Sequence, residues 1–291
     1  MPVVTVAVIT YNSAKFVAAT LESVRQQFYP RIELIISDDC STDATPEICR
    51  KWLDNPDNAG RFVSCMFVQT PCNAGISANY NNALRYAQGE WIKYIAGDDE
   101  LLPECVEEYV RVAVGGNCKF WISGTIPFNE KDGDLPARLP NQALVGKDAF
   151  EQELLLLEMG TVIEGPTIFL ETETLRKMGG IDEKYPFIED YPLYMKYLRG
   201  GYKLGVIERP LIHYREYTGS VSRGGNSRFD ASILSAIEDA NIAAWLRRRK
   251  PFTAYHWLCN RWIRTRVRPP FSYLLRLTDI IGIRNNLKRE R

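Results

Sequence analysis

The 291-residue sequence predicts an α/β fold in which helices flank a mostly parallel sheet, followed by a helical, basic C-terminal appendage. Over residues 1–100, short β-branched runs alternate with segments of helical periodicity, which is the pattern of repeated βα units. Polar or acidic residues follow three of these apolar runs, and ligands of parallel sheets bind outside the carboxyl ends of the strands. An excess of basic residues marks the C-terminal end of the chain.

The first two βα units follow in order from the N-terminus. The run 4–9 is rich in β-branched residues and predicts the first strand, after which helical spacing extends over 16–27. The run 32–37 predicts the second strand. N-cap candidates at 41–43 then predict a helix that ends near Leu53.

The alternation of strands and helices continues along the rest of the first 200 residues. The remaining predicted elements are strands over 62–68, 91–95, 120–123 and 167–170, and helices over 76–88, 103–114, 171–178 and 190–200. Residues 129–164 show no readable periodicity, and we expect loops there.

Acidic pairs stand at the ends of two predicted strands. Asp38-Asp39 and Asp98-Asp99 each follow an apolar run, and Glu189-Asp190 lies downstream. Carboxylates gathered at one edge of a sheet repel one another unless a cation or hydrogen-bond donors lie among them. The pairs therefore indicate a site for a metal and a phosphorylated ligand. Each pair alone could equally be turn chemistry or a helix cap, because Asp bonds nearby backbone amides.

Composition indicates an ordinary globular protein. Hydrophobic residues make up 45% of the chain and charged residues 25%, so one large core can form. The seven cysteines show no CxxC pair or zinc spacing, and their odd number argues against a disulfide framework. The N-terminus does not read as a secretory signal, and no apolar run approaches the roughly 20 residues that span a bilayer. We expect a cytoplasmic protein.

The C-terminal segment differs in charge from the rest of the chain. Residues 247–291 contain 13 Lys and Arg against two Asp and Glu, whereas residues 1–246 contain 23 and 34. Aromatic residues such as Trp257 and Trp262 alternate with these bases, which is typical of helices that bind anionic membrane surfaces. An intramolecular or homodimer contact is the alternative reading, and nucleic acid is not an expected partner.

A series of motifs in a fixed order points to a known family. The series comprises Thr10-Tyr11-Asn12, Asp38-Asp39-Cys40-Ser41-Thr42-Asp43, Asn73-Ala74-Gly75-Ile76-Ser77, Ala87-Gln88-Gly89-Glu90, Gly97-Asp98-Asp99, Gly179-Gly180-Ile181-Asp182-Glu183 and Glu189-Asp190. Over residues 3–222 the chain resembles a family-2 glycosyltransferase of the GT-A fold, of the bacterial surface-polysaccharide type. The P-loop and GxGxxG spacings are not found, so ATPase and dinucleotide-binding classes lose support.

The resemblance implies a role for a small set of residues. Asp190 would be the catalytic base that removes the proton of the acceptor hydroxyl, and Asp99 would hold Mn²⁺ or Mg²⁺ beside the diphosphate. Asp98 would face the ribose hydroxyls, and Asp39 would accept the N3 hydrogen of uracil or thymine. The residues assigned to nucleotide-sugar binding are Thr10, Tyr11, Asp39, Asn73, Asp98 and Arg215.

The resemblance also implies an activity and a domain division. We expect an inverting, metal-dependent transfer from a UDP- or dTDP-sugar to a glycan or a polyprenyl-diphosphate-linked acceptor, in O-antigen or capsule synthesis. The catalytic domain would span 1–225, with a nucleotide-binding half over 1–100 and an acceptor half over 101–225. The extension 226–291 would attach it peripherally to the inner face of the cytoplasmic membrane. The rivals are a non-catalytic nucleotide-sugar or glycan-binding protein and a sugar-phosphate nucleotidyltransferase.

Three positions depart from the usual family pattern. Ala96 stands where many relatives carry an Asp, Tyr80 stands where an Arg is common, and Tyr217 replaces a frequent His. A metal or diphosphate ligand is therefore either absent or replaced by His213, which is otherwise a structural histidine. Arg215 could bind the diphosphate or form a surface ion pair.

Overall fold

A computed structural model describes residues 1–159, 163–220 and 235–240. By its contacts the chain divides into two units, 1–236 and 237–291. The predicted boundary after residue 225 and almost the whole basic extension lie outside the described residues, so both stay predictions.

One mixed sheet contains nine strands of the described chain. They are β1 (Val4–Thr10), β2 (Ile32–Asp38), β3 (Ser64–Gln69), β4 (Trp91–Ala96), β5 (Glu100–Leu101), β6 (Phe120–Asn129), β7 (Gly133–Asp134), β8 (Phe169–Glu171) and β9 (Leu204–Arg215). The strand order is β3-β2-β1-β4-β8-β6-β9-β5, and β7 pairs with β6 off this path.

Eight α-helices within residues 1–220 accompany the sheet, and residues 235–240 are also helical. They are α1 (Val17–Arg25), α2 (Thr45–Leu53), α3 (Pro56–Ala59), α4 (Ile76–Tyr86), α5 (Cys105–Gly115), α6 (Ala149–Met159), α7 (Thr172–Lys177) and α8 (Asp190–Arg199). Within the described residues no helix combines the length and apolar character needed to cross a membrane.

The N-terminal half of the sheet is parallel, as the sequence predicts. β1 lies between β2 and β4, and all seven residues of both β1 and β2 are buried. Strands buried on both faces read as continuous apolar runs, which is why these were recognisable. The register pairs Thr10 with Asp38 and Ile9 with Ala96, so the polar residues that end these strands lie at one edge.

The second half of the sheet is mixed in direction and was only partly predicted. β8 is antiparallel to both β4 and β6, and β6 runs parallel to β9 with irregular register around Gly124. β9 was not predicted, because Glu208, Arg209 and Pro210 interrupt its apolar pattern. The expectation of loops over 129–164 was wrong in part, since α6 lies there. Its four consecutive leucines hide the helical period.

A large apolar core connects the sheet with its helices. It includes Val6 and Leu34 of the central strands, Leu21 of α1 and Tyr109 of α5, all fully buried or nearly so. Trp91 and Phe169 stack at 5.1 Å between β4 and β8. This packing holds the carboxyl ends of β1, β2 and β4 rigidly in place, and the acidic pairs follow directly from them.

Candidate functional site

The acidic turn after β4 is held by the end of β9. The backbone N–H of Arg215 donates to Asp99 Oδ1 at 2.9 Å, and the Arg215 Nε donates to the Asp98 carbonyl at 2.8 Å. Its Nη2 also pairs with Glu100 at 2.5 Å. One arginine thus connects three consecutive residues of the turn and fixes where the two carboxylates lie.

The Arg215 guanidinium lies between two aromatic rings. Its central carbon is 4.5 Å from the ring centroid of Phe16 and 4.3 Å from that of Phe128. Stacked guanidinium groups gain cation–π energy and lose mobility. Arg215 therefore supports the acidic turn, while its predicted contact with a diphosphate stays a prediction.

Two further side chains contact this turn. The Tyr217 hydroxyl donates to Asp98 Oδ2 at 3.0 Å. His213 lies between Glu100, at 3.4 Å, and Asp134, at 2.8 Å, and it stacks on Phe128. His213 is thus placed as a hydrogen-bonded histidine, and Tyr217 occupies the position beside Asp98.

The two carboxylates of the turn are electrostatically unfavourable as they stand. Burial raises the pKa of Asp99 well above its usual range, and the neighbouring Asp98 charge raises it further. Burial also raises the pKa of Asp98, although the Tyr217 hydroxyl opposes this. A cation would relieve the cost, because an opposite charge favours the ionised form.

The donor set of the turn fits a hard divalent cation with few protein ligands. Carboxylate oxygens are the ligands that Mg²⁺ and Mn²⁺ prefer, and Mg²⁺ is commonly held by one or two carboxylates plus substrate phosphates. No group of three or more His, Cys, Asp or Glu residues that could hold a metal occurs in the part of the chain that the structure describes. Asp99 and Asp98 therefore fit a cation whose remaining ligands are phosphate and water oxygens.

The two residues of the first acidic pair, Asp38 and Asp39, make different contacts. Asp38 is buried and accepts hydrogen bonds from the Thr10 hydroxyl, the Ser41 N–H and Gln69. Asp39 accepts bonds from the N–H groups of Ala74 and Gly75, at 2.9 and 2.8 Å. Asp39 therefore joins the end of β2 to the loop before α4.

That loop also contacts the third acidic segment. Gly75 has φ of +95°, and a Cβ there would lie 2.8 Å from the Pro186 carbonyl oxygen. The Ser77 hydroxyl donates to the Tyr185 carbonyl at 2.6 Å. Only glycine permits this approach of two backbones. The segment that leads to Glu189 and Asp190 is thereby brought against the loop that Asp39 binds.

Glu189 and Asp190 lie at the start of α8, against the backbone of Gly165. A Cβ at Gly165 would lie 3.1 Å from Glu189 Oε1 and 3.4 Å from Asp190 Oδ2. On another side, the Tyr80 hydroxyl lies 3.5 Å from Glu189 Oε1, and the Tyr80 ring stacks on Tyr94. Burial raises the pKa of Tyr80, and the charges of Glu189, Asp190 and Asp99 raise it further. All three carboxylates therefore lie within electrostatic range of one hydroxyl.

The pair titrates unequally. Burial raises the pKa of Glu189 to about 8, and the Asp190 charge contributes to that shift. Burial raises the pKa of Asp190 to about 6. Because each charge disfavours the other, one carboxyl group of the pair ionises before the second, and a single ionised carboxylate is the state that a general base requires.

A buried lysine holds the segment next to Gly165, and the sequence analysis did not predict a role for it. Lys93 in β4 is fully buried and donates from Nζ to the carbonyls of Tyr94 and Pro166, at 2.6 and 2.5 Å. Burial lowers its pKa to about 8, and the Asp99 charge acts in the opposite direction. The sequence feature that could have identified Lys93 is its position as a single charged residue in the otherwise apolar strand Trp91–Ala96.

The predicted site residues therefore fall into two groups. Hydrogen bonds connect Asp98, Asp99 and Arg215, whereas Asp39 binds Gly75, which lies against the segment that leads to Asp190. Thr10 belongs to the carboxyl edge of the sheet through its bond to Asp38. Tyr11 and Asn73 lie exposed on the adjoining loops, Tyr11 at 47%. Their binding roles stay predictions.

Comparisons with known proteins bear on the family and the fold of the chain. The family model described as Glycosyl transferase family 2 matches residues 5–169, which is more than half of the chain. The Uncharacterized glycosyltransferase RT0329 of Rickettsia typhi is 26% identical over 200 residues, which cover 68% of this chain and 59% of that protein. The chain thus spans less than two thirds of that relative's length.

A second relative is covered more completely. The Escherichia coli protein named UDP-Glc:alpha-D-GlcNAc-diphosphoundecaprenol beta-1,3-glucosyltransferase WfaP is 27% identical over 224 residues, 76% of this chain and 80% of its own length.

Solved structures share the fold at low sequence identity. S. aureus TarS 1-349 in complex with UDP-GlcNAc has a TM-score of 0.64 and 19% identity, covering 92% of this chain and 76% of that one. The mannosyltransferase PcManGT from Pyrobaculum calidifontis, in complex with GDP-Man and Mn²⁺, has a TM-score of 0.56 and 17% identity, covering 97% and 81%. The predicted GT-A fold is therefore confirmed.

Proposed function

Because the chain belongs to glycosyltransferase family 2, we propose that it transfers a sugar from a UDP- or dTDP-sugar to a hydroxyl group of a glycan or lipid-linked glycan. The reaction would serve surface-polysaccharide assembly and would invert the anomeric configuration. The name of the E. coli relative, with its UDP-Glc donor and diphosphoundecaprenol-linked acceptor, supports this choice of substrates.

The unequal carboxylate pair carries the proposal. Burial raises the pKa of both carboxyl groups, and the Asp190 charge raises that of Glu189 further, so we take Asp190 as the group that ionises first and acts as the base. Asp99 lies within electrostatic range of the same Tyr80 hydroxyl as Asp190, and a carboxylate is a suitable ligand for a hard cation. A base and an anion-neutralising site at one edge are the two groups that this transfer requires.

In the proposed mechanism, Asp190 accepts the proton of the acceptor hydroxyl as its oxygen bonds to the anomeric carbon. The bond from that carbon to the phosphate oxygen breaks on the opposite face, and the nucleoside diphosphate departs. A divalent cation held by Asp99 would neutralise the charge that develops on the diphosphate, while Asp98 would face the ribose hydroxyls. Arg215 keeps these carboxylates in place through its bonds to the turn.

The donor is proposed to bind along the edge between the first and second acidic pairs. Asp39 would recognise the base, Tyr11 would stack on it, and Asn73 and Thr10 would complete that end of the site. The contact of Asp39 with the loop before α4 supports this placement, because it brings the carboxylate and the Asn73 loop together.

A binding screen and a transfer assay test the proposal. UDP- and dTDP-sugars with Mn²⁺ should raise the melting temperature, because a ligand that binds only the folded state stabilises it. Asp190→Asn should lower kcat for transfer by about 10²-fold or more with donor binding retained. Asp54→Asn, an exposed carboxylate after α2, is the matched control and should act like the parent.

The outcomes separate the rival functions. No stabilisation by any nucleotide sugar, with or without Mn²⁺, would reject nucleotide-sugar binding altogether. Binding without transfer to any lipid-linked acceptor would favour the non-catalytic binding protein. Full transfer by Asp190→Asn would remove Asp190 from the role of base.

A further inference from the structure

The segment that follows β9 makes contacts in two directions. Arg215 and Tyr217 both bind Asp98 of the acidic turn. The side chain of Glu216, which is 6% exposed, instead accepts a hydrogen bond from Arg138 Nη2 at 2.6 Å. Removing a donor from a buried carboxylate costs more than breaking an exposed ion pair. Arg138 therefore anchors the residue that lies between the two side chains holding the turn.

The same guanidinium also contacts the segment beside the proposed base. Arg138 Nη1 donates to Glu164 Oε1 at 3.0 Å, and the next residue, Gly165, lies against Asp190. Each carboxylate takes a different nitrogen of the planar fork, which is a geometry that arginine offers and lysine does not. One side chain thus joins the segment beside the base to the segment that holds the acidic turn.

The backbone of Arg138 is fixed to strand β6. Arg138 and Thr125 exchange two backbone hydrogen bonds, of 2.9 and 2.8 Å, as an antiparallel bridge. The Thr125 hydroxyl also donates to Glu164 Oε2. The guanidinium and one of its two partners are therefore both attached to the same residue of the sheet, so the contact with Glu216 is made from a defined origin.

We propose that Arg138 is a positioning residue that holds the cation-binding turn in register with the base. The inference rests on the proposed function, because that function requires Asp99 and Asp190 to act on one donor sugar at the same time. A misplacement of about 1 Å between such groups can cost about 10²-fold in rate. The contact with Glu216 positions the turn, and the contact with Glu164 positions the backbone beside the base.

The first measurement is the binding of Mn²⁺ to the full chain in the presence of UDP, followed by the electron paramagnetic resonance signal of free Mn²⁺. Arg138→Met should weaken Mn²⁺ binding by about tenfold, which is the usual effect of losing a group that orients metal ligands. Arg209→Met is the matched control. Arg209 is 52% exposed and also pairs with two carboxylates, Glu104 and Glu108, at 3.3 Å each. This control should bind Mn²⁺ like the parent.

Two further variants separate the two contacts of Arg138. Glu216→Met removes the contact toward the turn and should weaken Mn²⁺ binding about as much as Arg138→Met does. Glu164→Met removes the contact toward the base, so it should bind Mn²⁺ within about threefold of the parent and lower kcat for transfer by about tenfold. The transfer probes are UDP-glucose and an undecaprenyl-diphosphate-linked N-acetylglucosamine.

Urea unfolding of each variant shows whether a lost activity is only lost folding. If Arg138→Met does not fold, Arg138→Lys replaces it, because an ammonium group keeps the charge but lacks the fork that reaches two carboxylates. Arg138→Lys should weaken Mn²⁺ binding by about threefold or more. A parent-like Mn²⁺ affinity in the arginine variant that folds would overturn the inference.

The remaining outcomes keep the two proposals separable. Equal weakening of Mn²⁺ binding by Glu164→Met and Glu216→Met would show a general loosening and would overturn the positioning role alone. If neither UDP nor dTDP binds the parent in the presence of Mn²⁺, the proposed function fails, and the inference fails with it.

Discussion

At the scale of the residue, Glu189 and Asp190 show how burial and mutual repulsion give two neighbouring carboxyl groups different pKa values. Both carboxyl groups lose hydration, but repulsion lets only one ionise readily. Glu189 keeps its proton until about pH 8, so it acts as a neutral neighbour under ordinary conditions. The ionised Asp190 is thereby kept available at pH 7.

The acid limb of the activity profile follows from this division. We predict that kcat rises as pH increases through about 6, because Asp190 must lose its proton to act as base. Glu189→Gln should leave that limb within about half a pH unit of the parent, since the amide resembles the protonated acid. The kcat profile of both proteins from pH 5 to 9 measures this. A limb displaced by a full unit would show that Glu189 is charged.

Stability should depend on pH in the opposite sense. A carboxyl group whose pKa is raised on folding stabilises the protein below its ordinary pKa and loses that contribution as pH rises through the folded value. For Glu189 the window runs from 4.5 to about 8. We predict that Glu189→Gln gains roughly 1 to 3 kcal/mol over the parent at pH 8 compared with pH 5.

Urea unfolding at pH 5 and pH 8 measures that difference. Glu173→Gln, an exposed carboxylate of α7, serves as the control and should show no pH-dependent gain. An equal effect of Glu189→Gln at both pH values would contradict the raised pKa.

At the scale of the element, the loop before α4 is positioned by close backbone approach. Gly75 donates to Asp39 and lies against Pro186, so three elements that are distant in sequence meet at one glycine. Its positive φ alone would cost another residue about 1 to 2 kcal/mol. The Pro186 backbone cannot rotate away as a side chain could.

A pair of glycine substitutions separates strain from collision. Gly75→Ala should lose about 3 kcal/mol and weaken donor binding, because the Asp39 contact shifts with the loop. Gly133→Ala, also at positive φ but with open space around the Cβ position, should lose only about 1 kcal/mol and keep donor affinity. Urea unfolding and donor titration measure both. Equal losses would show that the approach to Pro186 is not limiting.

At the scale of the whole molecule, the contrast in charge between residues 1–246 and the basic segment 247–291 predicts binding to an anionic membrane surface. Removing residues 246–291 should abolish sedimentation with anionic vesicles at about 0.1 M salt, because each base near such a surface contributes about 1 kcal/mol. The full chain with Arg247, Arg248 and Arg249 all changed to Gln should bind more weakly, and neutral vesicles should bind neither. Unchanged sedimentation of the truncated chain would reject the membrane role.

Local pattern accounts for the parts of the site that were predictable. Continuous apolar runs identified β1, β2 and β4, and the residues after them were correctly expected at one edge because parallel strands end together. Lys93, Gly165 and Pro186 were not assigned roles. Lys93 and Pro186 act through partners more than 70 residues away in sequence, and Gly165 acts through Glu189 and Asp190 beyond α7. Such contacts leave no period in the sequence.

The sequence by itself determined the βα alternation, the order of the acidic motifs and the family, because these depend on residue type and short-range spacing. Only the tertiary structure decided that β9 pairs with β6, that Arg215 supports the acidic turn, and that Gly165 lies against Glu189 and Asp190. The reason is physical: strand register and side-chain burial depend on how distant apolar faces pack together, and that packing then sets the charge of each carboxylate.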